Sequence, residues 1–159
     1  MAKSPLQVEL GKRDPFESIE QEVALNLSRT SDRIHLRFVR LFRDQGLTAT
    51  QYNILRILRG EGKPLPSLEI AARTVTEVPG MTGLIDRLEQ AGFVTRIRCL
   101  EDRRVIRIAI SEAGTAMLEK LDAPVIELHR ELLQHMSPEE LTMLNVLLVK
   151  ARRFGEASK

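Results

Sequence analysis

Residues Val78–Ser111 read VPGMTGLIDRLEQAGFVTRIRCLEDRRVIRIAIS, and their pattern decides the fold. Met81, Leu84, Ile85 and Leu88 recur at three- and four-residue steps, which puts them on one face of an amphipathic helix. Pro79 suits the first helical position, with Val78 held extended before it. Gly92 supplies the stop, and Phe93 packs back on Leu88 as the apolar contact of a Schellman cap. Alternation then takes over. Phe93, Thr95, Ile97 and Cys99 fall on one side of a strand, and Arg96 and Arg98 on the other. Beyond a turn at Glu101-Asp102-Arg103, Ile106, Ile108 and Ile110 alternate with Val105, Arg107 and Ala109. The expected unit is a helix running into a half-buried two-stranded hairpin whose solvent face is basic.

Working upstream, Thr48 and Gln51 form a capping box and Leu47 can staple onto Tyr52. Tyr52, Ile54, Leu55, Ile57 and Leu58 make an apolar helix ending near Gly60, and Gly62–Pro66 is a turn or short extended piece. Ser67 can cap a short helix reaching about Thr74. Residues 47–110 thus read as a helix-turn-helix followed by a wing. Before them, Phe16, Ile19, Val23, Leu27, Ile34, Phe38 and Leu41 predict a helix from about Pro15 to Gln45, stopped at Gly46. It is longer than the domain behind it needs, and its spare apolar stripe calls for a partner helix, most simply from a second copy.

Downstream, Ala113, Met117, Leu121, Val125, Leu128, Leu132 and Met136 keep helical spacing, with a kink or break expected between Lys120 and Pro124. Ser137-Pro138-Glu139-Glu140 is a helix start, and Leu141, Leu144, Leu147, Leu148 and Ala151 form the stripe behind it. Residues 1–14 lack a period and read as a disordered arm. The fold expected is mainly α with a small antiparallel β wing, a winged helix-turn-helix in the order α-α-(β)-α-α-β-β-α-α. Residues 15–46 and 111–155 form its helical dimerisation region, of obligate type, and residues 47–110 its DNA-binding region.

Bulk composition excludes more than it selects. The 159 residues suffice for one core. With 24 basic and 22 acidic side chains, only local charge can choose a partner. Aromatic residues make up 4 % of the chain, too few for the stacking platforms of single-strand binders. One cysteine excludes an internal disulfide and suits a reducing compartment. No segment approaches the roughly 20 apolar residues of a membrane span, and the first residues carry no run of signal-peptide type. A soluble cytoplasmic protein without a membrane partner is expected. No nucleophile elbow, phosphate-binding glycine loop or paired-carboxylate set appears, so no enzyme and no cofactor is expected. His129 and His135 stand six apart on a helix and do not converge on a metal.

A helix sized for a major groove, followed by a basic hairpin, is a device for gripping double-stranded DNA. Recognition helices set their first residues against base edges, here Gly80, Thr82 and Gly83. Each glycine weakens the helix by up to about 1 kcal/mol relative to alanine. Close approach of backbone to DNA would justify that, and so would close helix packing. Arg87 can reach a phosphate with Asp86 steering it, or form an ordinary surface pair. Arg96, Arg98, Arg103, Arg104 and Arg107 cluster in the hairpin against only Glu101 and Asp102, and guanidinium groups suit a narrow minor groove. With Ser67, Pro79 and Asp102 these residues make up the candidate DNA-contacting set, Arg107 excepted. Two other readings have distinct signatures. A wing that binds protein would expose apolar residues. A redox sensor at Cys99 would need an activated, accessible thiolate.

Gly92-Phe93-Val94, Asp102-Arg103-Arg104, Ile108-Ala109-Ile110-Ser111 and Gly114 resemble the wing signature of the MarR (multiple-antibiotic-resistance regulator) family. The run from Thr82 to Glu89 resembles its recognition helix, and Ile70-Ala71 the start of its short third helix; the likeness extends from about Pro15 to Phe154. The resemblance implies a transcription regulator, foremost a repressor, that dimerises through its first and last two helices on a pseudo-palindromic operator. It also implies that Arg104 enters the minor groove, buttressed by Asp102. A small aromatic or phenolic effector would bind between the dimer helices and the reading head, where His35, Phe38 and Tyr52 are the candidate lining. The sequence departs from the family pattern at Gly83, where many relatives carry arginine, and at Thr74, which replaces a usual leucine and leaves Val75 to supply the packing.

Overall fold

The computed structural model describes residues 3–75, 79–98 and 106–153. Its elements are α1 (Pro5–Glu9), α2 (Ile19–Arg43), α3 (Ala49–Glu61), β1 (Leu65–Pro66), α4 (Ser67–Ala72), α5 (Met81–Gln90), β2 (Val94–Arg98), β3 (Ile106–Ile110), α6 (Glu112–Leu133) and α7 (Pro138–Ala151). The strands form one antiparallel sheet in the order β1-β3-β2, with Leu65 opposite Ile108 and Val94 opposite Ile110. The small sheet is the wing, and β1 ties it back to the end of α3.

Several helix ends follow their local chemistry. Thr48 and Gln51 form the reciprocal capping box of α3, and Ser137 and Glu140 that of α7. Other ends differ from expectation. Ser18, not Pro15, begins the long helix: its hydroxyl accepts from Gln21 N at 3.2 Å, with Glu20 and Glu22 in the first turn favouring the positive end of the dipole. The segment before it is not featureless. Ser4 caps a single turn, Pro5 takes the first position, Leu6 is buried and Glu9 bonds Arg29 of α2 at 2.9 Å. One turn is too short to leave a period in the sequence, which is why residues 3–14 read as an arm.

The core joins the reading head to α2 and α6. Phe42, Leu47, Ile54, Leu55, Leu58, Leu65, Ile70, Ile85, Leu88, Val94, Ile108, Leu118 and Leu121 are all buried in one cluster. Each such side chain contributes about 1.5–3 kcal/mol by leaving water. That burial explains why α6 runs through Pro124 without a break, which excludes the second of the two outcomes expected there, a kink or a break. Leu121, Val125 and Leu128 are buried on either side of the proline and offset its cost of about 3 kcal/mol.

The outer helices leave apolar surface uncovered. Ile19, Val23 and Leu27 repeat every four residues along the first half of α2 and are exposed. In α7 no residue is buried; Leu141, Leu144 and Leu148 are half-buried, while Met143, Val146 and Leu147 are 60 %, 57 % and 51 % exposed on another face. Among the described residues no helix is long and apolar enough to cross a membrane.

Candidate nucleic-acid interface

Gly80 caps α5 in the left-handed region at φ +74°, without a side-chain cap bond. Glycine adopts that conformation at no steric cost. Pro79 therefore lies in the turn before the helix and not at the first helical position that the sequence predicts. Ser67 is likewise the first residue of α4, with Pro66 at the cap and no side-chain cap bond. Pro79, Gly80, Thr82 and Arg87 are exposed, and Ser67 and Gly83 partly so. A Cβ built on Gly80 or Gly83 meets nothing within 4 Å among the described residues. Helix packing within the protomer thus does not require either glycine, whereas close approach by an outside body remains a reason for Gly83.

The far end of α5 is closed by hydrogen bonds from Gly92 N to Glu89 O and Phe93 N to Leu88 O, both 2.9 Å, with Gly92 at φ +76°. This is the expected Schellman cap. Ser111 binds the same corner to α6. Its hydroxyl donates to Gly92 O at 2.6 Å and accepts from Gly114 N at 3.0 Å. Gly114 lies so close to the Phe93 carbonyl that a side chain would collide with it.

In the wing the alternation is present; β3 keeps its isoleucines on the inner face as expected, but the faces of β2 are reversed. Val94 and Ile108 are the buried residues of β2 and β3, and Arg96 pairs across from Ile108. Val94, Arg96 and Arg98 therefore share the inner face, and Thr95 and Ile97 the outer one, with Ile97 45 % exposed. The period of two sets which residues travel together, but the chain's exit from the Gly92 turn sets which group faces inward. As a result Arg96 is not a free cation. Its Nη2 donates to Asp86 and its Nη1 to Glu89, both on α5. The hydrogen bond to Asp86 first, and that to Glu89 with it, raise the Arg96 pKa against the opposing effect of burial. Arg87 has no ion pair among the described residues, and Arg98 is exposed. Arg107 reaches the Pro64 carbonyl, beside β1. Cys99, Asp102, Arg103 and Arg104 lie outside the described residues. Ile97 and Ile106 give the wing some exposed apolar surface, the feature expected of a protein-binding wing, but they stand among arginines.

Two of the expected effector residues meet through a third ring. Phe42 stacks on Phe38 at 5.9 Å and on Tyr52 at 4.2 Å between ring centroids, so the three rings form one cluster. His35 is exposed. His129 of α6, considered in the sequence only as a metal ligand, has its ring centroid 4.8 Å from that of Phe38. Burial raises the Tyr52 pKa, while Arg56 and Arg59 pull it down and Asp122 pushes it up. Next to this stack Arg59 of α3 grips Asp122 of α6 in a two-pronged bond of 2.9 and 2.6 Å. No short-range signal marks that pair, which is 63 residues apart. Among the described residues no group of three His, Cys, Asp or Glu side chains could hold a metal.

The sequence pattern of the MarR family matches residues 47–106, the head just described. Over 130 residues the chain is 32 % identical to the HTH-type transcriptional regulator PecS of Dickeya dadantii, covering 80 % of this chain and 78 % of PecS. The chain belongs to the MarR family. A MarR transcription factor from Planctomyces limnophilus is 40 % identical and superposes with a TM-score of 0.66, over 84 % of this chain and 97 % of that one. The same MarR fold recurs in Bordetella bronchiseptica BpsR, solved in work on regulation of its DNA binding by 6-hydroxynicotinic acid. That protein is 23 % identical, with a TM-score of 0.73 over 82 % of this chain and 98 % of BpsR. MarR proteins are transcription regulators and not enzymes; this one is a DNA-binding regulator built on a winged helix-turn-helix.

Proposed function

We propose that the protein is a ligand-responsive repressor that binds a pseudo-palindromic operator as a homodimer. The observation that carries this reading is the pairing of two unlike surfaces. At one pole α5 offers Thr82, Gly83 and Arg87 beside a wing bearing Arg98. Elsewhere, α2 and α7 expose apolar faces that a second copy would cover. Two heads held together in this way would meet major grooves one turn apart. Residues 15–46 and 111–155 would serve dimerisation and residues 47–110 reading, with Ser67, Pro79, Gly80, Arg103 and Arg104 completing the contacts and Asp102 orienting Arg104. A small aromatic or phenolic effector would dock against the ring stack of Phe38, Phe42 and Tyr52, near His35. BpsR, whose DNA binding is the object of regulation by a hydroxylated aromatic acid, supports that class. The effector would release DNA by binding one head spacing better than another, since a ligand shifts an equilibrium only through differential affinity.

Fluorescence anisotropy with the DNA upstream of the chain's own coding region tests the reading. Affinity should fall steeply with salt as arginine–phosphate pairs are screened. Arg104→Ala should weaken binding by about tenfold or more while the dimer mass stays unchanged. An unaltered affinity at physiological salt removes the wing from the mechanism. Aromatic acids that raise the melting temperature yet never alter DNA affinity would refute the effector's role.

A further inference from the structure

A helix that faces a polyanion gains nothing from bare carboxylates. Yet α5 carries two acids, Asp86 and Glu89, against one base, Arg87. Both acids are partly exposed, at 47 % and 38 % of their side chains. One guanidinium from the neighbouring strand, Arg96, bonds both of them and is itself 27 % exposed. Its inward direction follows from the register that sets it opposite Ile108. Arg87 stays outside this cluster with no partner among the described residues.

We propose that Arg96 is a positioning residue for DNA binding: by occupying Asp86 and Glu89 it cancels the negative charge of the recognition helix, leaves Arg87 as the uncompensated charge offered to phosphate and locks the wing to α5. Arg96 then contributes to affinity without touching DNA. The planar fork of arginine suits this task, because two of its nitrogens can bond two separate carboxylates at once. Without it, the two acids would repel the phosphates and offset the single positive charge of Arg87. This repulsion is a charge effect between exposed groups, so salt should erase it.

The inference rests on the reading that α5 is the DNA-facing helix, and the experiment separates the two. Affinity for a random-sequence duplex of about 30 base pairs is measured at about 0.05 M and 0.3 M salt, where backbone electrostatics dominate binding. Arg87→Ala is the control for the reading: if it leaves affinity unchanged, α5 does not face DNA and both ideas fall. With that control weakened as expected, Arg96→Gln should lose about tenfold at low salt and much less at high salt. Adding Asp86→Asn and Glu89→Gln to Arg96→Gln should restore affinity to within about twofold of wild type, or above it, because the charges to be cancelled are gone. Loss of affinity that is the same at both salts, or that persists after the acids are neutralised, overturns the shielding role and leaves a mechanical brace. No loss in Arg96→Gln overturns both. Thermal unfolding of each variant confirms that the compared proteins are folded.

Discussion

Replacing Gly114 by alanine is expected to destabilise the protein, although alanine is the better helix former. The residue sits in the first turn of α6, under the corner where α5 gives way to β2. A Cβ there would lie 2.9 Å from Ile110 Cγ1 and 3.2 Å from the Phe93 carbonyl carbon, with the Phe93 oxygen nearer still. Ile110 can rotate. The carbonyl is held, because its oxygen accepts from Ser111 N at 3.0 Å while Phe93 N is bonded to Leu88 O at 2.9 Å. Forcing a methyl group into such a site costs about 1–3 kcal/mol. Displacing the Ser111 hydrogen bond adds about 1 kcal/mol. Helix propensity returns about 1 kcal/mol. The net expectation is a loss of about 1–3 kcal/mol. Gly60 is the internal control: it lies in α3 with nothing among the described residues within 4 Å of a built Cβ, so Gly60→Ala should stabilise by up to about 1 kcal/mol. Urea unfolding at one fixed protomer concentration measures both, since dimerisation would make stability depend on concentration. If Gly114→Ala unfolds at the same urea concentration as wild type, or higher, the close contact between α6 and the Phe93 carbonyl is refuted.

Two further outcomes are expected. The Arg59 hydrogen bond, opposed by partial desolvation, holds the Asp122 carboxyl below its usual pKa. Its contribution to stability is therefore complete above the unfolded value of about 4 and is lost as pH falls through the lower folded value. Asp122→Asn should be less stable than wild type at neutral pH, with the gap closing on acidification in urea titrations; a constant gap contradicts the linkage. Leu147→Glu, on the exposed face of α7, should turn a dimer into a monomer by light scattering while leaving the helical circular dichroism in place. An unchanged mass would clear α7 of any part in dimerisation.

The legible parts of this protein are those whose cause is local. Both capping boxes, the Schellman turn at Gly92 and the two-residue alternation of the wing depend on residues within a few positions of one another, and all are present. Long-range geometry left no such trace. The inward parity of β2 depends on how the chain leaves the Gly92 turn, so Arg96, read as a solvent-facing cation, is instead the partner of Asp86 and Glu89. Arg59 and Asp122 meet only because α3 and α6 pack together. Pro124 was read through its intrinsic helix cost, and the buried leucine and valine around it outweigh that cost. Phe38 and Tyr52 each stack on Phe42, a contact that spacing on two separate helices does not reveal.

The Ser111 corner turns two helices into a crank. One hydroxyl holds both the Gly92 carbonyl at the end of α5 and the Gly114 amide in the first turn of α6, so a swing of one drags on the other. With its 22 residues, α6 is an arm of about 33 Å at 1.5 Å per residue. A tilt of about 10° about that pivot carries the far end of such an arm roughly 6 Å, comparable to one helical turn. Run in reverse, a shift of several ångströms at the distant end is geared down to a small, stiff rotation of α5 and the sheet beside it.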